Sequence, residues 1–134
     1  MKSLIAALSL TLFLVSCSKE AAVVTKSSQQ QLFYKDGNIA VSDMAAVQTN
    51  ATTVTVRFAT LYETNIQKIE VMSGNTATQL CTIGELDVTG NTNRTANYSV
   101  DDTNLKGKTM YYMLRYTLTT GDWGYTPLVS VSVK

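Results

Sequence analysis

The sequence predicts an all-β domain folded as a two-layer sandwich of about seven short antiparallel strands. Three observations lead there. From residue 32 onward, apolar residues recur with a period of two. Thr, Val and Tyr crowd those runs, and such side chains suit a pleated, half-buried surface and disfavour helix. Beyond the N-terminal leader, no window of about 11 residues carries an apolar stripe at helical spacing. A chain of 134 residues, 45% of them hydrophobic, has room for one such domain.

Residues 1–16 come first and read as a leader. Lys2 supplies a positive start, and Leu4 to Val15 form an apolar stretch interrupted only by Ser9 and Thr11. That is shorter than the roughly 20 residues a membrane span needs and fits a signal peptide. The stretch ends in Leu14-Val15-Ser16-Cys17, which resembles the bacterial lipobox. The resemblance implies cleavage after Ser16, a lipid on the Cys17 thiol, and membrane attachment through it. Ser18 stands where an Asp would resemble an inner-membrane retention signal, so the outer membrane of a bacterial cell envelope is the expected location. Whether the domain faces the periplasm or the cell surface stays open. With Cys17 lipidated, Cys81 is expected to be unpaired, a small apolar residue in the run Gln79-Leu80-Cys81-Thr82-Ile83.

Residues 17–31 hold the lipidated Cys and a small, polar run ending in Ser-Ser-Gln-Gln-Gln, read as a flexible tether. The domain, 32–134, opens with a hairpin: Leu32 to Lys35, an Asp36-Gly37 turn, then Asn38 to Val41. Residues 41–47 fit no single pattern. Thr53 to Thr60 alternates, with Val54, Val56 and Phe58 on one face. Ile66 to Ser73 turns Ile69 and Val71 inward and Lys68 and Glu70 outward, and Ser73-Gly74-Asn75 reads as a turn. Gln79 to Leu86 is the next strand, 88–95 a polar loop, and Ala96 to Val100 a short strand closed by Asp101-Asp102. Thr109 to Thr119 places Tyr112, Leu114, Tyr116 and Leu118 on one face, with Tyr111, Met113, Arg115 and Thr117 on the other. A turn, 120–124, leads to the last run, Tyr125 to Val133, with Val129, Val131 and Val133 inward.

Across 53–133 the chain resembles the fibronectin-III/immunoglobulin-like domain of secreted bacterial proteins that often precedes a type IX sorting domain. The family's W-x-T-x-x-E-x-N run corresponds to Phe58 through Asn65, with Phe58 in place of Trp. Its FEVERS-type strand corresponds to Ile69-Glu70-Val71-Met72-Ser73, and its F-x-x-I-G-x-V run to Leu80 through Leu86. Its Y-S-F-x-D strand corresponds to Tyr98 through Asp102, and its closing YYRLK run to Tyr111 through Arg115, followed by Gly121, Tyr125-Thr126 and Val129-Ser130-Val131. The resemblance implies an immunoglobulin-like sandwich and an accessory role without an activity of its own. No sorting domain follows Lys134, so export by that route is not implied.

The absence of His removes Ser-His-Asp triads, zinc deaminases and HExxH proteases. A net charge of +1 with scattered Lys and Arg excludes the basic face that nucleic acid requires. No enzyme, metal site or cofactor is expected. Glu63 and Asn65 read as residues bonding backbone at a bend, with half of a polar site as the alternative. Asp101, Asp102 and Asn104 read as an acidic turn; as Ca²⁺ ligands they lack an EF-hand's spacing. Glu85 and Asp87 lack the cleft a glycosidase pair needs. Tyr112 or Tyr116 is a candidate for a hydroxyl-to-backbone bond at a sheet corner. Trp123 sits in a Gly-flanked turn, where it either forms an exposed platform with Tyr125 and Tyr111, open to a protein or glycan, or folds over the sandwich end as a lid. The expected function is a lipid-anchored, non-enzymatic binding or adhesion module; the alternative is a structural subunit of an outer-membrane or surface complex.

Overall fold

The computed structural model describes residues 31–134 and, ahead of them, two dipeptide strands, β1 (Ser18–Lys19) and β2 (Thr25–Lys26). The expected leader and the lipidation of Cys17 lie outside the described residues. The strands that follow are β3 (Leu32–Lys35), β4 (Ile39–Asn50), β5 (Thr53–Glu63), β6 (Ile66–Thr76), β7 (Gln79–Leu86), β8 (Ala96–Asp102), β9 (Thr109–Leu118), β10 (Trp123–Tyr125) and β11 (Leu128–Ser132). They form the expected sandwich. A four-stranded sheet runs β3-β4-β5-β8, and a seven-stranded sheet runs β1-β7-β6-β9-β11-β2 with β10 beside β9. The chain crosses between sheets after β2, β5, β7 and β8, while β3-β4, β4-β5, β6-β7 and β9-β10 pair strands adjacent in sequence.

The core lies between the sheets and is assembled from alternate residues. Ile39, Val41, Val54, Val56 and Phe58 of the smaller sheet meet Ile69, Val71, Tyr112, Leu114 and Val131 of the larger. Apart from Ile39 and Val41, each inward set is one the period-two reading selects, because a one-residue slip would turn the whole set to solvent.

Three boundaries differ from the sequence reading. Residues 41–47 belong to β4, whose alternation is broken by register shifts around Ser42–Ala45, with Asp43 at φ 55°. Such a bulge bends the strand and scrambles its pattern. Ser73-Gly74-Asn75 is not a turn but part of β6, which runs on to Thr76 through another shift. The last run splits at Pro127, which cannot donate to a ladder, leaving β10 and β11 separate.

Two dipeptides of the stretch read as a tether are paired with the larger sheet, β1 antiparallel to β7 and β2 parallel to β11. The expectation for Cys81 fails. Among the described residues no cysteine is free, and Cys81 is disulfide-bonded. Its place on β7 is half-buried rather than enclosed in the core, so it does not act as the small core residue expected.

Two buried carboxyl groups hold the ends of the sandwich. Glu63, 1% exposed, accepts from the Thr60 and Tyr98 hydroxyls at 2.8 and 2.6 Å and from the Thr89 hydroxyl and Gly90 N–H at 3.2 and 3.0 Å. It thereby clamps the 88–95 loop against β5. Gly90 is at φ +80°, and a Cβ there would come within 2.7 Å of the Ile66 carbonyl oxygen, so the clamp needs glycine. Asn65, at φ 54°, takes the Asn91 side-chain oxygen on its N–H at 2.8 Å. The bend at Glu63 and Asn65 is therefore structural. At the opposite end Asp102, 2% exposed, accepts from Ser73 at 3.0 Å, Tyr112 at 2.8 Å and the Asn104 N–H at 3.0 Å. This joins β8 of one sheet to β6 and β9 of the other.

Candidate functional site

The outer face of the larger sheet carries the candidate site. On β9 the residues alternate to the core, so Tyr111, Met113, Arg115 and Thr117 all point outward. β10 pairs with β9 in the register Trp123↔Thr117 and Tyr125↔Arg115, which sets Trp123 and Tyr125 on that same face. Gly124 between them points inward. A Cβ at Gly124 would collide with the Tyr116 ring and hydroxyl, so only glycine lets β10 lie this close.

Tyr116 is itself fixed. Its hydroxyl donates to the Asp36 carboxylate and pairs with the Tyr34 hydroxyl at 3.0 Å. Asp36 also caps the β3–β4 turn, accepting from Asn38 N–H at 2.7 Å and Ile39 N–H at 2.9 Å. Burial opposes charge on Asp36, but bonds from Tyr116, Asn38, Ile39 and Tyr34 outweigh it and lower its pKa. The tyrosine-corner expectation is corrected here. Tyr112 and Tyr116 bond carboxylates rather than backbone, because the nearest acceptors to their hydroxyls are Asp102 and Asp36. The tyrosine bonding a backbone carbonyl is Tyr62, on that of Asp36.

Trp123 is 65% exposed, so it does not fold over the sandwich end as a lid. Beside it a groove of about 470 Å³ is lined by Gln67, Lys68 and Glu70 of β6, Arg115 and Thr117 of β9, and Trp123 and Tyr125. Its floor is an ion pair. Arg115 Nε donates to Glu70 Oε2 at 2.7 Å, and Lys68 Nζ stands 3.7 Å from Glu70 Oε1. The Thr82 hydroxyl reaches the same oxygen at 3.4 Å. The bond from Arg115 holds the Glu70 pKa below the usual carboxylate range, against burial. Arg115's bond to Glu70, and with it one to the Tyr125 hydroxyl, in turn hold the Arg115 pKa up. A guanidinium fixed from two sides is a rigid group that a ligand meets without reorganising it.

Tyr111 is on the right face but outside the groove. It packs half-buried with Met72, Leu80, Met113 and Leu128 in a second apolar cluster, and Tyr125 bridges cluster and groove. Of the three aromatic residues expected to share a platform, Trp123 and Tyr125 line the groove and Tyr111 does not, and the polar floor was not part of the sequence reading. The signal was there in Lys68 and Glu70 read as outward charges and Arg115 read on the outward face of its strand. Only the β6–β9 pairing, Glu70↔Arg115, joins them.

The other polar candidates are accounted for. Asp101 is exposed and accepts from Thr55 at 2.7 Å, while Asp102 faces the interior. Glu85 lies opposite Glu70 in the β6–β7 ladder, 4.0 Å from Lys68. Among the described residues no three His, Cys, Asp or Glu side chains are grouped to hold a metal ion. A trough of about 450 Å³ on the smaller sheet carries Asp43, Arg57 and Asn97 over an alanine floor. Its aromatic neighbours, Phe58 and Tyr98, stack on each other at 5.1 Å and pack into the core rather than outward.

No family model matches the chain. No curated protein matches it either. A solved structure described as the crystal structure of Br derivative BhCBM56 is similar over 75% of this chain and 97% of its own, with 15% identity and a TM-score of 0.45. A likeness of that size speaks to neither ligand nor activity.

Proposed function

We propose that the chain is a non-catalytic binding module, held at a bacterial outer membrane by a lipid on Cys17, whose groove beside Trp123 takes a saccharide ring. One observation carries this reading: the chain's single tryptophan is 65% exposed on a strand pinned by Gly124, above a prearranged polar floor. An indole face left in water is stabilised by covering it, and the apolar face of a sugar ring is flat enough to do so. The hydroxyls at the ring edge then meet Arg115, Lys68, Gln67 and Thr117.

Trp123→Ala tests the groove. It is expected to weaken binding to a responsive polysaccharide by about 2 kcal/mol, as a central aromatic anchor does. Unfolding should shift by less than about 0.5 kcal/mol, since the ring is exposed. Isothermal titration and thermal melts read the two. Unchanged affinity, or a stability loss of about 3–5 kcal/mol as for a buried Trp, defeats the reading.

The anchor rests on the lipobox-like sequence. Cys17→Ala should leave unlipidated precursor and move the protein from membrane to soluble fractions; unchanged attachment refutes the anchor. The chain has two cysteines, and one Cys17 sulfur cannot hold both a lipid and a disulfide. Mass spectrometry of the intact protein reads which of the two it carries, and shaving of intact cells by protease reads which side the domain faces. A structural-subunit role draws on Phe33 and Leu61, 59% and 40% exposed on the smaller sheet, as a surface for an assembly partner to cover.

A further inference from the structure

We infer that the groove selects saccharides carrying an anionic group, a carboxylate or a sulfate ester, over neutral ones. This rests on the saccharide reading above and follows from which charged groups the groove has left to offer. The sole carboxylate lining it, Glu70, has both oxygens engaged, one by Arg115 and the other by Thr82 and Lys68. Its side chain is only 6% exposed. Buried under these partners, it presents little acceptor surface to a ligand hydroxyl.

The two cations are placed differently. Arg115 spends Nε on Glu70 and a further donor on the Tyr125 hydroxyl, and its side chain is 25% exposed; Lys68 stands 3.7 and 4.0 Å from Glu70 and Glu85 and is 34% exposed. Both retain N–H donors, since an ammonium has three and a guanidinium five. The charged groups open to a ligand are thus donors, and the lining sums to one excess positive charge. A neutral sugar brings hydroxyls that want acceptors as well as donors. An anionic oxygen pair asks for donors alone and gains from charge assistance.

Glu85 lies outside the groove lining, 61% exposed, and its loose contact with Lys68 is the interaction an incoming anion replaces. Removing that competitor should strengthen anion binding, opposite to the effect of any change that damages the site.

The test compares polygalacturonate, a sulfated galactan and neutral galactan as probes, by isothermal titration on the full-length protein with Trp123→Ala, Lys68→Gln and Glu85→Gln beside it. At least one charged probe is expected to bind about tenfold or more tightly than the neutral one, and which of the two does so identifies the anion. That preference should shrink at 1 M salt, where the screening length is about 3 Å. It should also shrink in Lys68→Gln and grow by about twofold in Glu85→Gln, the scale of an exposed ion pair. Equal binding of neutral and charged probes, both weakened by Trp123→Ala, overturns the anion preference and leaves the saccharide reading standing. Binding of no probe by the unaltered protein overturns both.

Discussion

Glu63→Ala is expected to destabilise the protein by about 3–5 kcal/mol, because four donors lose their acceptor at once inside the fold. The hydroxyls of Thr60, Tyr98 and Thr89 and the Gly90 N–H all converge on that carboxyl group. Thr60 is fully buried, so water does not replace what is lost. Burial together with Glu63 raises the Tyr98 pKa, so the phenol stays a donor at any ordinary pH. Glu63→Gln separates shape from charge. Its oxygen can keep Thr89 and Gly90, but its NH₂ then faces two hydroxyls that must turn their hydrogens elsewhere, for a loss of about 1–3 kcal/mol. For a domain near 100 residues each kcal/mol lowers Tm by roughly 4–8 °C, so melts resolve the order wild type, Gln, Ala. The damage should start locally, with hydrogen exchange of the Gly90 and Thr92 amides rising before the core opens. An alanine variant melting with the wild type would show the clamp to be decoration.

Asp102→Ala acts at the other end and should cost a similar amount. It orphans Ser73 Oγ, the fully buried Tyr112 hydroxyl and the Asn104 N–H. Here the isostere is expected to be mild. Asn with its oxygen toward Ser73 and Tyr112 loses only the bond from Asn104, an exposed residue, for about 1 kcal/mol. A second change sharpens the test. Tyr112→Phe removes the orphaned phenol, so it should be less damaging in the Asp102→Ala background than in the wild type. Strict additivity of the two changes would mean that the hydroxyl and the carboxyl group do not depend on each other.

The sandwich was legible where a strand is long, unbroken and wet on one side. Val54-Val56-Phe58 and Tyr112-Leu114-Tyr116 announce their faces because alternation is the direct imprint of burial on one side. β4 was not legible because its bulge at Asp43 shifts the pattern mid-strand. The end of β6 was misread because Ser-Gly-Asn has turn chemistry, while Gly74 there serves a strand ladder with Tyr111. The site divides in the same way. An exposed Trp between glycines is a local signal. The ion pair of Glu70 and Arg115 spans 45 residues of sequence and exists only once β6 and β9 are side by side.

A single indole has one further consequence. The protein has seven tyrosines and one tryptophan, and that tryptophan sits at the groove rather than in the core. Excited selectively, Trp123 emits from water and reports on its own surroundings alone. Occupation of the groove should move its emission to the blue while the tyrosine signal of the folded core stays constant. Unfolding should leave the Trp123 wavelength nearly unmoved and change the tyrosine signal instead. The molecule thus carries two optical channels, one for its ligand and one for its fold.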